Sequence, residues 1–170
     1  GIVTCGCEDT SSKAALKMAE KYDFVYAAVG IHPGSIDSGT TVEQIRDLAT
    51  HKKCVAIGEI GLDYYWVNDN KNEQIEIFEK QILLARELSL PIIVHDRDAH
   101  GDTLEILKKY KPKGVVHCYS GSVEMSEEII KLIEWTTEFT SFSVVDNKGE
   151  TDFCSQVNFA VENECKNDYF

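Results

Sequence analysis

Four apolar runs in this sequence each lead into a residue that can ligate a metal or move a proton. Ala27–Ile31 leads into His32, Cys54–Gly58 into Glu59, Pro91–Val94 into His95 and Gly114–Val116 into His117. Imidazole nitrogens and a carboxylate make a donor set for Zn2+, Mn2+ or Fe2+, and with more oxygen ligands for Mg2+. A carboxylate can bridge two ions, and a two-ion site clamps both the attacking and the leaving oxygen of a phosphoryl displacement. One histidine at a strand end reads as a satisfied polar group, whereas four such endings point to a shared site. Their surroundings add candidates. Asp63 offers a second acid or a loop cap. Arg97, two residues past His95, could clamp a phosphate or pair with Asp98. The small donors Ser120–Ser122 precede a helix start, where an anion or a plain N-cap fits. Tyr64, Tyr65 and Trp66 could stack on bases or fold over a rim. His51 reads as a solvated helix end and His100 as part of a loop beyond the site.

The elements that must position these residues follow a strand-then-helix rhythm. Strands are expected at 1–7, 24–31, 54–58, 91–94 and 114–116. Helices are expected at 11–21, 41–50, 72–88, 102–110 and 123–133. The longest helix carries Ile75, Phe78, Ile82, Ala85 and Leu88 on one stripe. Five βα repeats predict a parallel α/β sheet. The strands are continuous apolar runs, as expected when helices cover one face and a packed interior the other. In a barrel or a doubly wound sheet alike, the C-terminal strand ends open onto the ligand face. The rhythm covers 1–133. Residues 134–170 offer one strand, Phe139–Val145, followed by a polar stretch, and the whole chain reads as one domain, 1–170.

Lys and Arg number 17 against 29 Asp and Glu, a formal charge of −12. That balance excludes a broad phosphate-binding surface, which needs clustered cations, but leaves open a pocket in which bound cations reverse the local field. No run approaches the ~18–20 apolar residues of a membrane span. The opening GIVTCGCEDT has neither a basic head nor an apolar core of the length that marks a signal peptide. Its six cysteines lie mostly in apolar runs, so buried reduced thiols in a cytoplasmic protein are expected.

At these residues the chain resembles the TatD family of metal-dependent hydrolases. The matching blocks are AAVGIHP (27–33), VAIGEIGLDYY (55–65), FEKQILLARELSLPIIVHDRDA (78–99) and GVVHCYSGS (114–122). The resemblance implies a TIM (β/α)8 barrel, of which this sequence carries about five units. It appears without the family's first strand, which bears an x-His-x-His pair of ligands, and with an altered C-terminal region. It implies a centre of one or two ions, with Glu59 as the shared ligand and His95 and His117 binding one ion. By the same resemblance, Asp152 of Glu150-Thr151-Asp152 binds metal and activates the attacking water. The Pro-Tyr that follows this motif in the family is Phe153-Cys154 here, and the second histidine after His32-Pro33 is Gly34.

The expected function is therefore divalent-metal-dependent hydrolysis of DNA phosphodiester bonds. Asp152 and Glu59 would be catalytic, Arg97 and His32 would contact substrate, and Mg2+ is the first-choice ion with Zn2+ or Mn2+ as alternatives. DNA is the expected partner, with no membrane and no obligate protein partner. The alternatives are ester or amide hydrolysis on the same ligands, such as deacylation of D-aminoacyl-tRNA, or a catalytically impaired truncated homologue.

Overall fold

A computed structural model describes residues 1–66 and 69–133. The elements run β1 (Ile2–Cys5), α1 (Asp9–Lys21), β2 (Val25–Val29), a 3-10 helix (Pro33–Ser38), α2 (Val42–Ala49), β3 (Cys54–Asp63), α3 (Lys71–Leu88), β4 (Ile92–Arg97), α4 (His100–Tyr110), β5 (Gly114–Val116) and α5 (Val123–Leu132). The expected strand Phe139–Val145 and Asp152 lie outside the described residues.

All four strand pairings are parallel, and the sheet order is β1-β2-β3-β4-β5. A doubly wound sheet reverses its order at a switch point. Here every crossover steps to the next strand in the same direction, the arrangement that curls a sheet toward a barrel. Two separate apolar clusters confirm which face is which. Ala27, Val29, Ile57, Ile92, Val94 and Val116 pack with Phe78 and Ile82 of α3 on the helix-covered side. Their immediate neighbours Ala28, Ala56 and Ile93 pack with Val3, Cys5 and Val115 on the other face. The period of two that defines a strand thus separates inner from outer positions residue by residue.

Local sequence explains where the helices begin. Ser11 and Glu8 form a capping box for α1, Thr41 and Gln44 form one for α2, and the Ser122 hydroxyl accepts the Met125 amide at the start of α5. Ser89 and Lys111 close α3 and α4 in the left-handed conformation.

Three expectations change. First, β3 does not stop at Gly58. It continues to Asp63, pairing Ile60–Asp63 with Val94–Arg97. The glycines on both sides of Glu59, Gly58 and Gly61, lie inside this paired strand. Second, the buried stripe of α3 is not wholly apolar. Gln74 and Gln81 are fully buried beside Phe78, Ile82 and Ala85, while Ile75 and Leu88 are only partly covered. Third, the cysteines are not uniformly buried: Cys54 is buried, Cys5 and Cys7 are half-buried and Cys118 is exposed, all four as free thiols.

The two glutamines, seven residues apart on one helix face, fasten the strand ends that carry the chemistry. The Gln81 amide accepts from the Ile31 N–H (2.7 Å) and donates to the Ile31 carbonyl (3.0 Å), one residue before His32. Gln74 does the same at Asp63, accepting from its N–H (2.9 Å) and donating to its carbonyl (3.0 Å). Buried backbone groups left unpaired would cost roughly 1–3 kcal/mol each, so these side chains replace the ladder bonds that end there.

Candidate metal centre

Counting by twos along the inner face brings the chemistry together. From Ile93 the next inner position on β4 is His95, and from Val115 the next beyond β5 is His117. From Ala28, two such steps lead through Gly30 to His32. On β3 the count breaks. Ile57 and Ile60 both face the helices although they are three apart, and the register against β4 shifts between them. This irregularity supplies one extra residue, and a bulge of this kind re-aims side chains. It places Glu59 in the pocket and re-phases the strand so that Asp63 also points inward. A backbone bond from the Glu59 N–H to the Gly6 carbonyl (3.1 Å) fixes the segment against the end of β1.

The result is three imidazoles around one carboxylate oxygen. His117 Nε2 lies 2.5 Å from Glu59 Oε1, His95 Nδ1 2.9 Å and His32 Nε2 3.6 Å. His95 meets Asp63 Oδ2 with its other nitrogen, Nε2, at 3.0 Å. The His32 and His95 rings meet edge to face, with centroids 4.4 Å apart. Donor atoms of His32, Glu59 and His95 all lie within 4.8 Å of one another. Ligands at ~2.0–2.6 Å from a common ion stand at most about 5 Å apart, so Glu59 with the His95 and His117 nitrogens that meet its Oε1 is spaced to hold a divalent cation. The second nitrogen of His95, held by Asp63, matches the carboxylate support that orients metal-ligating imidazoles.

The electrostatics follow from the geometry. Burial alone would raise the Glu59 pKa, but hydrogen bonds from His117 and His95 overcome it and hold the carboxyl well below its usual range. Burial works against a charged His117, yet Cys118 and Glu59 outweigh it and push the imidazole up to about 10. Asp63 also sits below its ordinary value, because the Trp66 and Tyr65 amides and His95 together outweigh its desolvation. His32 goes the other way: burial, then the neighbouring His95, lowers it.

His32 has a distinct role within this group. Its Nδ1 accepts the Gly34 N–H at 3.0 Å. A neutral imidazole that accepts at Nδ1 carries its proton on Nε2. As placed, His32 therefore presents a donor to the pocket rather than a lone pair.

Of the residues singled out from the sequence, His32, Glu59, His95 and His117 come together. Arg97 does not join them: it is exposed at the end of β4, and its guanidinium lies over Tyr65 and Trp66 instead of pairing with Asp98. His100 is the first residue of α4, not a loop residue, and its Nδ1 meets the buried Asp96 carboxylate at 2.6 Å. Asp63 is the participant whose role the sequence left undecided. The thiols of Cys5 and Cys7 went unread as neighbours of the site. Burial, then the charge of Glu59, raises both, Cys5 to about 12. Extending the inner-face count from Val3 to Cys5 and Cys7 would have found them.

A sequentially ordered parallel sheet with histidines and carboxylates at the C-terminal ends of its inner face is a TIM barrel of the metal-dependent hydrolase type, of which the described residues provide five βα units. The family model described as TatD related DNase matches residues 1–156, and the chain belongs to that family. Among its relatives, the uncharacterized metal-dependent hydrolase YabD of Bacillus subtilis (strain 168) is 44% identical over 138 residues, covering 77% of this chain and 53% of its own. A protein of Erwinia tasmaniensis named 3'-5' ssDNA/RNA exonuclease TatD is 38% identical over 128 residues, covering 72% and 49%. The crystal structure of YjjV, a TatD homologue from Escherichia coli K12, superposes with a TM-score of 0.71 at 32% identity, covering 78% of this chain and 54% of that one. The chain thus spans about half the length of the relatives it matches. Among the described residues, no helix is long and apolar enough to cross a membrane.

Proposed function

We propose that this chain carries the metal centre of a divalent-metal-dependent phosphodiesterase that hydrolyses DNA. The observation that supports this reading best is the convergence of His117, His95 and His32 on the single oxygen Glu59 Oε1. Glu59, His95 and His117 would hold one or two ions, with Asp63 orienting His95. What a divalent cation supplies when bound is a lower pKa for water, from 15.7 towards about 7, and stabilisation of charge on an oxygen anion. Mg2+ is the first choice by family resemblance, while the imidazole share of the donor set suits Zn2+ or Mn2+ equally. His32 would donate from Nε2 to a substrate oxygen, which needs it neutral, as burial makes it. Arg97 would contact substrate from the rim. Asp152, carried over from the family motif, would bind metal and orient the attacking water. The exonuclease name of the Erwinia relative supports a nucleic acid as substrate, and free thiols suit the cytoplasm.

The decisive comparison offers the protein a labelled single-stranded deoxyoligonucleotide and, separately, an aminoacyl-tRNA ester, each with Mg2+, Mn2+ or Zn2+ and with EDTA. The expected result is cleavage of the oligonucleotide with a divalent cation and none in EDTA. An intact oligonucleotide alongside a hydrolysed ester would replace this reading with deacylation.

A further inference from the structure

Beyond the metal centre, the described residue with the largest exposed apolar side chain is Trp66, at 71% exposure, next to Tyr65 at 53%. Their rings meet edge to face with centroids 4.8 Å apart. The Arg97 guanidinium lies 4.0 Å from the Tyr65 ring centroid and 5.5 Å from that of Trp66. Among the described residues no carboxylate pairs with this arginine, so its charge is held by two π faces alone. Scattered exposed aromatics need no explanation, but two side by side beneath a guanidinium form a patch that favours a ligand with a π face and a negative charge.

The patch is tied to the metal centre through one side chain. Asp63 Oδ2 faces His95 Nε2 at 3.0 Å, while Asp63 Oδ1 accepts the N–H groups of Tyr65 (3.0 Å) and Trp66 (3.1 Å). The carboxylate that orients a candidate ligand therefore also sets the turn that presents the aromatics. Tyr64 anchors the same turn by donating from its hydroxyl to Asp102 of α4 (2.7 Å). Three residues of chain reach at most about 11 Å, so the patch lies close to the pocket.

We propose that Tyr65, Trp66 and Arg97 are a stacking platform that receives an unpaired base of a single-stranded nucleic acid on the rim of the metal centre. The proposal rests on the phosphodiesterase reading above. A duplex hides the faces of its bases and requires rows of cations along its backbone, which a chain of formal charge −12 does not offer. A single strand presents its bases to an aromatic surface, and because every base has a π face, such a platform is indifferent to sequence. One guanidinium beside the rings is enough to hold the adjoining phosphate.

The test measures binding of a fluorescent oligothymidylate and of an abasic strand of equal length and charge, at low salt with EDTA so that neither is hydrolysed. Base stacking on an aromatic contributes about 1–3 kcal/mol per base, or roughly 5- to 150-fold. The protein is expected to prefer the base-bearing strand about tenfold. Trp66→Ala is expected to erase that preference and Trp66→Phe to keep most of it. Trp66 is exposed, so neither change threatens the fold. A ratio near one in the unaltered protein, a ratio unchanged in Trp66→Ala, or failure to bind either strand would each overturn the platform. The preference intact in a protein that cleaves no oligonucleotide in the separate assay with divalent cations would remove the phosphodiesterase reading alone. Hydrolysis with a ratio near one would remove the platform alone.

Discussion

Glu59→Ala is expected to abolish divalent-metal-dependent hydrolysis, with a loss of about a thousandfold or more in kcat. The substitution deletes the oxygen on which three imidazoles converge, so no remaining group gathers them. Glu59→Gln is the sharper variant. It preserves size and can still accept from His117, but it carries no charge to hold a cation. Equal inactivity of the two variants would place the effect in the carboxylate charge. Both should fold, because the main-chain bond from residue 59 to the Gly6 carbonyl does not involve the side chain. Circular dichroism with parallel rate measurements on a single-stranded oligonucleotide checks this. Substantial metal-dependent activity in a folded Glu59→Gln protein would exclude this carboxylate as the centre of the site.

Gly61→Ala is expected to damage fold and site together. Gly61 has φ +143°, a conformation that side-chain-bearing residues rarely adopt. A Cβ there would run into the His95 carbonyl oxygen and stand 2.9 Å from its carbon. The obstruction is backbone, which no rotamer change can clear, so β3 and β4 must separate where Gly61 pairs with His95. Overpacking and backbone strain each cost about 1–3 kcal/mol. A loss of about 3 kcal/mol in urea unfolding is expected, or roughly 10 °C in Tm for a chain of this size. Because the displaced residue is His95, metal affinity should fall as well. An unchanged unfolding midpoint would contradict the close approach of these strands.

Much of this arrangement was legible in the sequence, for an identifiable reason. In a parallel sheet covered by helices, each strand is a short apolar run, and the first polar residue after it sits at the ligand-binding end. His95 and His117 follow that rule directly. His32 follows it with Pro33 starting the next element. On β3 the rule found Glu59 but misplaced the end of the strand, which continues past the bulge after Ile57 to Asp63. Pairing with β4, a contact distant in sequence, decides that Ile60–Asp63 is strand and turns both Glu59 and Asp63 into the pocket. Gln74 and Gln81 were unreadable for a related reason. A hydropathy pattern assigns buried glutamines to the polar face, and only the unpaired backbone at Ile31 and Asp63 explains their burial. Arg97 shows the limit of spacing arguments: two residues past His95 it shares the strand, but at its exposed end the Tyr65 and Trp66 rings capture it.

The divergent states of His117 and Glu59 make the metal centre directly measurable. The folded pKa of His117 is raised, so its proton stays bound beyond the ordinary histidine value and is lost only as pH rises through about 10. A cation that takes this nitrogen must displace that proton at neutral pH, so affinity should rise with pH, about tenfold per unit for each proton displaced. Calorimetric titration of Mn2+ into the unaltered protein and into Glu59→Gln, repeated in buffers of different ionisation enthalpy, counts ions and protons together. The expected result is saturable binding of one or two ions with net proton release, lost in Glu59→Gln. Equal Mn2+ affinity in both proteins, or binding without proton release, would contradict a cation site organised by Glu59 and its histidines.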